Sequence, residues 1–290
     1  MPRLGGPFRA TEALDAGALT YRELRRLHTA VYPGVWMARD LEMTARLRAR
    51  AAWLWSQRRG VLAGLSASAI LGARWIDADL CAELIHTNRR PPRGITVHSD
   101  TPASGETRLA SGMCVTTPAR TAFDLGRRLP LVAGVQRVDA LMNATGVDAA
   151  AIAHIAATHR GARGSRHLRE TLRLVDGGAE SPYESLTRIL LVEHGFPKPE
   201  TQIDVVDDDG VVFARIDMGW REYRVGVDFD GAHHWTDSKQ RDRDVERYAR
   251  LPELGWIDVR VTSGILRSRR AAFFERVGAA LIARGCPRTW

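Results

Sequence analysis

The sequence predicts an α+β protein organised as two domains, residues 1–176 and 180–290. Three observations carry that expectation. Charge is unevenly spread: residues 1–176 hold 25 Arg against 15 Asp and Glu, a balance of +10, whereas 177–290 hold 17 Lys and Arg against 19 Asp and Glu, a balance of −2. Asp176-Gly177-Gly178 reads as a helix stop, and Ser181-Pro182 reads as the start of the next helix. Beyond residue 180 the pattern runs helix, three strands, helix, strand, helix, which is the layout of one sheet flanked by helices.

In the first part, one helix from about Thr20 to His28 runs quickly into the Tyr32-Pro33-Gly34 turn. Leu41 to Arg59 reads as a helix with Ala, Leu, Met and Trp over a basic face; its Trp53 and Trp55 cannot both face one core stripe. Ser66 is the expected cap of a short helix, Ala67 to Leu71, that Gly72 ends. Cys81–Thr87 and Gly94–His98 read as strands. Their His86 and His98 fit packing or solvent better than metal ligation. Thr117-Pro118 opens a helix to about Arg128, and Leu131–Asn143, Asp148–Thr158 and Ser165–Val175 follow as three more.

The second part is patterned more sharply. Ser181 can accept a bond from the first turn, Pro182 sits where its missing N–H is harmless, and Glu184 stands at the capping-box spacing. Pro182 to His194 is an amphipathic helix, and Thr201 to Val206 and Val211 to Met218 are strands about an Asp207-Asp208-Asp209-Gly210 turn. Glu222 to Asp230 is a third strand with Val225, Val227 and Phe229 on one face. Ser238 to Leu254 is a charged helix ended by Gly255; Trp256 to Val261 is a strand; Arg270 to Ala283 is the last helix.

Composition bounds the function. A chain of 290 residues with 44% hydrophobic and 26% charged residues can bury a core and is not globally disordered. No apolar run reaches bilayer length, and Met1 to Ala10 has no signal-peptide core, so no membrane partner is expected. Cys81, Cys114 and Cys286 form no CxxC pair, which argues against a zinc finger or a disulfide scaffold and for a reducing, cytoplasmic setting. The net charge of +8 suggests a polyanion, DNA above all. Apart from Lys198 and Lys239 every basic residue is Arg, a bias that genomic base composition also produces.

The strongest chemical constellation is acidic. Asp217 lies near the end of one strand, and Asp228 and Asp230 lie two apart on the next, sharing a face. Carboxylates converging from adjacent strands invite a divalent cation, and Mg²⁺ or Mn²⁺ held there could activate water at a phosphodiester. Glu184 could add a carboxylate from the preceding helix. Polar strand ends facing solvent would show the same spacing. His233 or His234, just after Gly231, could serve as general base, metal ligand or phosphate donor. In the following helix, Asp244 and Arg247 stand i, i+3 and can pair on one face, supporting the site or meeting a phosphate.

These residues carry a resemblance. Ser181-Pro182-xx-Glu184, Ile216-Asp217, Val227-Asp228-Phe229-Asp230-Gly231 with His234, Asp244-xx-Arg247, Leu251 and Gly255-Trp256 resemble, in order, the very-short-patch-repair (Vsr) branch of the PD-(D/E)XK superfamily, and more closely a bacterial domain of unknown function within it. The resemblance implies a restriction-endonuclease-like α-β-β-β-α-β core over 180–290. It implies Asp217 and Asp228 as ligands of Mg²⁺ or Mn²⁺, Glu184 as a supporting acid and His234 near the site. Asp230 stands where the superfamily usually has Lys, which removes the usual group for orienting the attacking water.

The first part resembles AbiEi-type antitoxins of abortive-infection toxin–antitoxin systems. The matching pieces are Leu19-Thr20-xx-Glu23-Leu24, Val31-Tyr32-xx-Gly34-Val35-Trp36, Leu65 to Gly72, and Thr117-Pro118-Ala119-Arg120-Thr121-Ala122-xx-Asp124-Leu125. That resemblance implies an N-terminal winged helix-turn-helix, here shortened, before an α/β domain, and a toxin or defence-system partner. The readings in competition are a metal-dependent DNA endonuclease, a catalytically inactive DNA-binding regulator of the antitoxin type, and a protein-interaction module.

Overall fold

The computed structural model describes residues 5–88, 90–207, 209–231 and 250–290. The chain divides into two compact units, Met1–Arg173 and Leu174–Trp290.

The first unit opens with β1 (Phe8–Arg9), α1 (Ala10–Asp15), α2 (Tyr21–Leu27) and the hairpin of β2 (His28–Tyr32) and β3 (Val35–Ala38), whose three strands pair antiparallel in the order β1-β3-β2. Thr20 starts α2 with a complete capping box: its hydroxyl accepts from Glu23 N, and the Glu23 carboxylate accepts from Thr20 N. Helix α1 has no counterpart among the sequence expectations, because Arg9 supplies no side-chain cap and the helix is only six residues long.

α3 (Ala45–Trp55) is shorter at both ends than expected. Thr44 caps its start, and Gln57 and Arg58, both at positive φ, turn the chain out after it. Ala49, Ala51, Ala52 and Leu54 are buried, and small side chains there let α3 lie close on the sheet. Both tryptophans are partly buried against this core, so the expectation that one would face away is corrected: the apolar stripe is wide enough for both edges.

The sheet beneath contains β4 (Val61–Leu62), β5 (Ala82–Ile85), β6 (Ile95–His98), β7 (Thr107–Ala110) and β8 (Met113–Thr116), in the order β6-β5-β4-β8-β7. β5 and β6 are parallel, as are β4 and β8, and the other pairs are antiparallel. α4 (Gly64–Ile70) starts earlier than the sequence suggests, and Ser66 is not its cap. Its first turn is instead bound by a distant side chain, since Leu65 N donates to Glu83 Oε1 at 2.8 Å, while Ser66 Oγ accepts from Glu83 N at 2.9 Å. Gly64, at φ +50°, passes so close to the Glu83 carboxylate that any Cβ would collide with it. α5 (Pro118–Arg128), α6 (Leu131–Thr145), α7 (Ala149–Thr158) and α8 (Ser165–Leu174) complete the helical layer.

The second unit begins with α9 (Pro182–His194), capped by Ser181 and closed by left-handed Gly195. Its sheet has the order β12-β11-β10-β9, built from β9 (Glu200–Val206), β10 (Val212–Trp220), β11 (Val225–Phe229) and β12 (Ile257–Val261). β9, β10 and β11 are antiparallel neighbours, and β12 joins β11 in parallel. The Asp207 carboxylate accepts from Asp209 N and Val211 N in the β9–β10 turn. A 3₁₀ turn, Arg221–Tyr223, and left-handed Arg224 delay β11 by three residues relative to expectation. α10 (Ser263–Ser268), not foreseen, precedes α11 (Arg270–Ala283). Val225, Val227, Val259 and Val261 form a buried core with Phe273, Val277 and Leu281 of α11. Among the described residues no single helix is long and apolar enough to cross a membrane.

Candidate functional site

Residues 8–38 place two short helices, α1 and α2, between β1 and the β2–β3 hairpin. Leu24, 1% exposed, anchors α2 in the unit. Arg22, Arg25 and Arg26 stand at i, i+3 and i+4 and are all exposed, so they share a basic face. The Arg25 guanidinium lies 4.9 Å over the ring of Tyr21, itself 60% exposed. Arg39, just after β3, donates to Arg25 O at 3.3 Å. On α1, Glu12 accepts from Arg58 at 2.5 and 2.6 Å and from Arg9 at 3.1 Å. The Arg58 bond, more than the weaker opposing effect of burial, holds the Glu12 carboxyl down to about 2. Sequence reasoning passed over the basic face because three arginines on one short helix look like an ordinary solvated surface.

The Thr117–Leu125 motif organises a buried ion network. Arg120, 1% exposed, donates to Glu106 Oε2 at 2.5 Å and to Asp124 Oδ2 at 3.0 Å, and its guanidinium lies 3.6 Å from Asp100. Arg127 and Arg128 in the last turn of α5 both bind Asp100 and Asp124. His159 Nε2 meets the other oxygen of Glu106 at 2.5 Å. Burial of Arg120 opposes its charge, yet the facing carboxylates outweigh it and raise its pKa. Such a network fixes α5 against the loops carrying Asp100 and Glu106.

In the second unit, extending the β10–β11 register by one pair sets Asp217 opposite Asp228. The side chains bridge the strands: Asp217 N donates to Asp228 Oδ1 at 2.8 Å, and Phe229 N donates to Asp217 Oδ2 at 2.7 Å. Asp228 is 3% exposed. Asp230 lies past the strand end, where its carboxylate binds Arg260 Nη2 at 2.6 Å. It therefore faces an arginine rather than completing an acidic trio with the other two. Glu184 is buried; its Oε2 accepts from Glu180 N at 2.8 Å and from Gln202 Nε2 at 3.4 Å, and its N–H donates to Ser181 Oγ. Burial, helped by the charges of Glu180 and Asp228, raises the Glu184 pKa above the usual carboxylate range. Tyr183 stacks flat on Phe229, with ring centroids 4.7 Å apart. His233, His234, Asp244 and Arg247 lie outside the described residues.

The carboxylates of Asp217 and Asp228 each bind a backbone N–H, and among the described residues no group of three or more His, Cys, Asp or Glu is arranged to hold a metal ion. The three cysteines are separate free thiols.

Residues 46–174 match the family model of the AbiEi antitoxin C-terminal domain. Two relatives from Mycobacterium tuberculosis, "Uncharacterized protein MT2308" (strain CDC 1551 / Oshkosh) and "Uncharacterized protein Rv2248" (strain ATCC 25618 / H37Rv), are each 32% identical over 198 residues, covering 66% of this chain and 72% of the relative. No solved structure matches significantly. The chain belongs to the family of these two mycobacterial proteins, and within it residues 46–174 are similar to the AbiEi antitoxin C-terminal domain.

Proposed function

We propose that the protein is a DNA-binding regulator of the AbiEi antitoxin type, acting in a toxin–antitoxin or defence setting. The observation that carries this reading is the match of residues 46–174 to the antitoxin domain directly after α2 and the β2–β3 hairpin, which we read as a shortened winged helix-turn-helix with Arg22, Arg25 and Arg26 exposed. Exposed arginines on one helical face can neutralise phosphates, and Tyr21 beside them offers a surface for base edges or sugars. The first part's balance of +10 adds a long-range attraction for DNA.

The test is fluorescence anisotropy with duplex DNA from the protein's own upstream region, across a salt series. Arg22→Ala/Arg25→Ala/Arg26→Ala should weaken binding and flatten the log–log salt slope by about one unit for each phosphate that is no longer neutralised. An unchanged slope in that variant would sink the reading.

A second reading is phosphodiester hydrolysis in the C-terminal unit, with Asp217 and Asp228 as ligands of Mg²⁺ or Mn²⁺. It is favoured by one observation, the buried Glu184 whose ionisation is opposed in part by Asp228. Plasmid nicking by wild type with Mn²⁺, abolished in Asp217→Asn, would support it. Absence of nicking together with identical Mn²⁺ calorimetry for both proteins would end it.

A further inference from the structure

We propose that a cleft at one end of the five-stranded sheet in the first unit is a binding site for a small phosphomonoester. The cleft has a volume of about 430 Å³, within the range of roughly 300–1,000 Å³ common for small-ligand sites. Its polar lining is Arg59, His86, Thr87, Ser99, Asp100 and Thr101, beside the apolar Ile85.

The topology explains why these residues meet. β5 and β6 run parallel, with Ile85 beside His98, so the residues following both strands emerge together at their carboxyl ends. His86 and Thr87 follow β5, and Ser99, Asp100 and Thr101 follow β6. β4 is antiparallel to β5 with Val61 beside Ile85, which brings Arg59, just before β4, to the same end. Crevices outside the carboxyl ends of parallel strands are where open α/β sheets generally hold ligands.

The lining is rich in donors that nothing else uses. Among the described residues Arg59 has no ion pair, and the hydroxyls of Thr87, Ser99 and Thr101 have no hydrogen-bond partner. His86 Nδ1 accepts from Asn88 N at 2.9 Å, so the ring carries its proton on Nε2, a further donor. Asp100 is the one carboxylate in the lining, and its charge is already matched. Burial works to raise its pKa, but Arg128, Arg127, Arg120 and His98 outweigh burial and keep it ionised. The buried network behind it pairs Arg120, Arg127 and Arg128 with Asp100, Glu106 and Asp124, and Arg128 Nη1 is buried there without a partner among the described residues. Arg59 is thus a cation left over at the mouth. One guanidinium, an imidazole N–H and three hydroxyls suit a tetrahedral oxyanion with several acceptor oxygens. The volume leaves room for a small group attached to it.

Isothermal titration calorimetry on the full chain tests this with three probes: inorganic phosphate, adenosine 5′-monophosphate and adenosine. Phosphate and the monophosphate should bind, and adenosine should not. Arg59→Gln should weaken both by about tenfold or more, as expected for loss of a charge-assisted hydrogen bond. Ser99→Ala/Thr101→Ala should weaken them by a smaller factor. Arg59, Ser99 and Thr101 are all exposed, so thermal melts of the variants should match wild type, and affinity for duplex DNA should not change. Absence of heat with both phosphates, or equal affinity in wild type and Arg59→Gln, would overturn the proposal. So would a parallel loss of DNA affinity in Arg59→Gln with displacement of phosphate by duplex DNA, because the cleft would then be part of a DNA track.

Discussion

At the level of single residues, buried charge is a structural commitment of the first unit. Arg120 is 1% exposed and faces Glu106, Asp124 and Asp100 at once. Removing it takes a buried partner from three carboxylates at once, so Arg120→Met should cost about 3–5 kcal/mol in urea unfolding, the range for breaking one side of a buried pair. Glu184 presents the opposite case. Its folded pKa is raised, so its contribution to stability is complete below the ordinary carboxylate pKa and is lost as pH rises through the folded value. Glu184→Gln keeps an acceptor for Glu180 N and removes the ionisation. We expect its melting temperature to exceed that of wild type at pH 7.5 and to equal it near pH 4. A lower melting temperature at pH 7.5 would mean that the carboxylate is needed in its charged form. Glu12 runs the other way: with a folded pKa of about 2, its stabilisation is present above about 4.5 and disappears as pH falls toward 2. Because Glu12 is largely exposed, that acid-induced loss should shrink in high salt and be absent in Glu12→Gln.

At the level of elements, the β10–β11 pair ends in a side-chain latch. Asp228 Oδ1 binds Asp217 N, and Asp217 Oδ2 binds Phe229 N, so each carboxylate pairs a backbone donor of the other strand. Asp228→Ala strands a half-buried N–H and should cost about 1–3 kcal/mol, whereas Asp228→Asn retains an acceptor oxygen and should cost less. Equal losses in the two variants would show that charge, not the hydrogen bond, holds the strands. The same pair shows what a sequence can carry. Alternation is enough to set Asp217 and Asp228 on neighbouring strands, because strand period and register are local properties. That the carboxylates turn inward onto backbone donors depends on atoms of the facing strand, which spacing does not encode. Helix α9 is legible to the residue, since Ser181, Pro182 and Gly195 act within one turn of its ends. The start of α4 is not, because its first turn is bound by Glu83, eighteen positions away. β4, β7 and β8 have two to four residues each and exist only through partners from elsewhere in the chain, so no short-range pattern announces them. Arg120 looks like any helix-surface arginine until the fold brings Glu106 and Asp100 to it.

At the level of the whole molecule, the chain divides into two compact units of opposite charge balance. The first joins the basic α2 face, the β2–β3 hairpin and the antitoxin-like residues 46–174; the second has a sheet and core of its own. Each unit closes its own hydrophobic cluster, from Leu62, Leu84 and Val115 in one and from Val225, Val259 and Phe273 in the other, which is the physical condition for independent folding. Fragments Met1–Arg173 and Leu174–Trp290 should therefore each unfold cooperatively. DNA affinity should follow the first fragment, with a steep loss as salt rises, because its arginine excess releases counterions on binding. The second fragment, with a balance of −3, should bind the same duplex far more weakly at moderate salt. Anisotropy titrations of both fragments at two salt concentrations measure this directly. Comparable affinities would place a DNA-contacting surface in the C-terminal unit and would shift weight from the regulator reading toward the hydrolytic one.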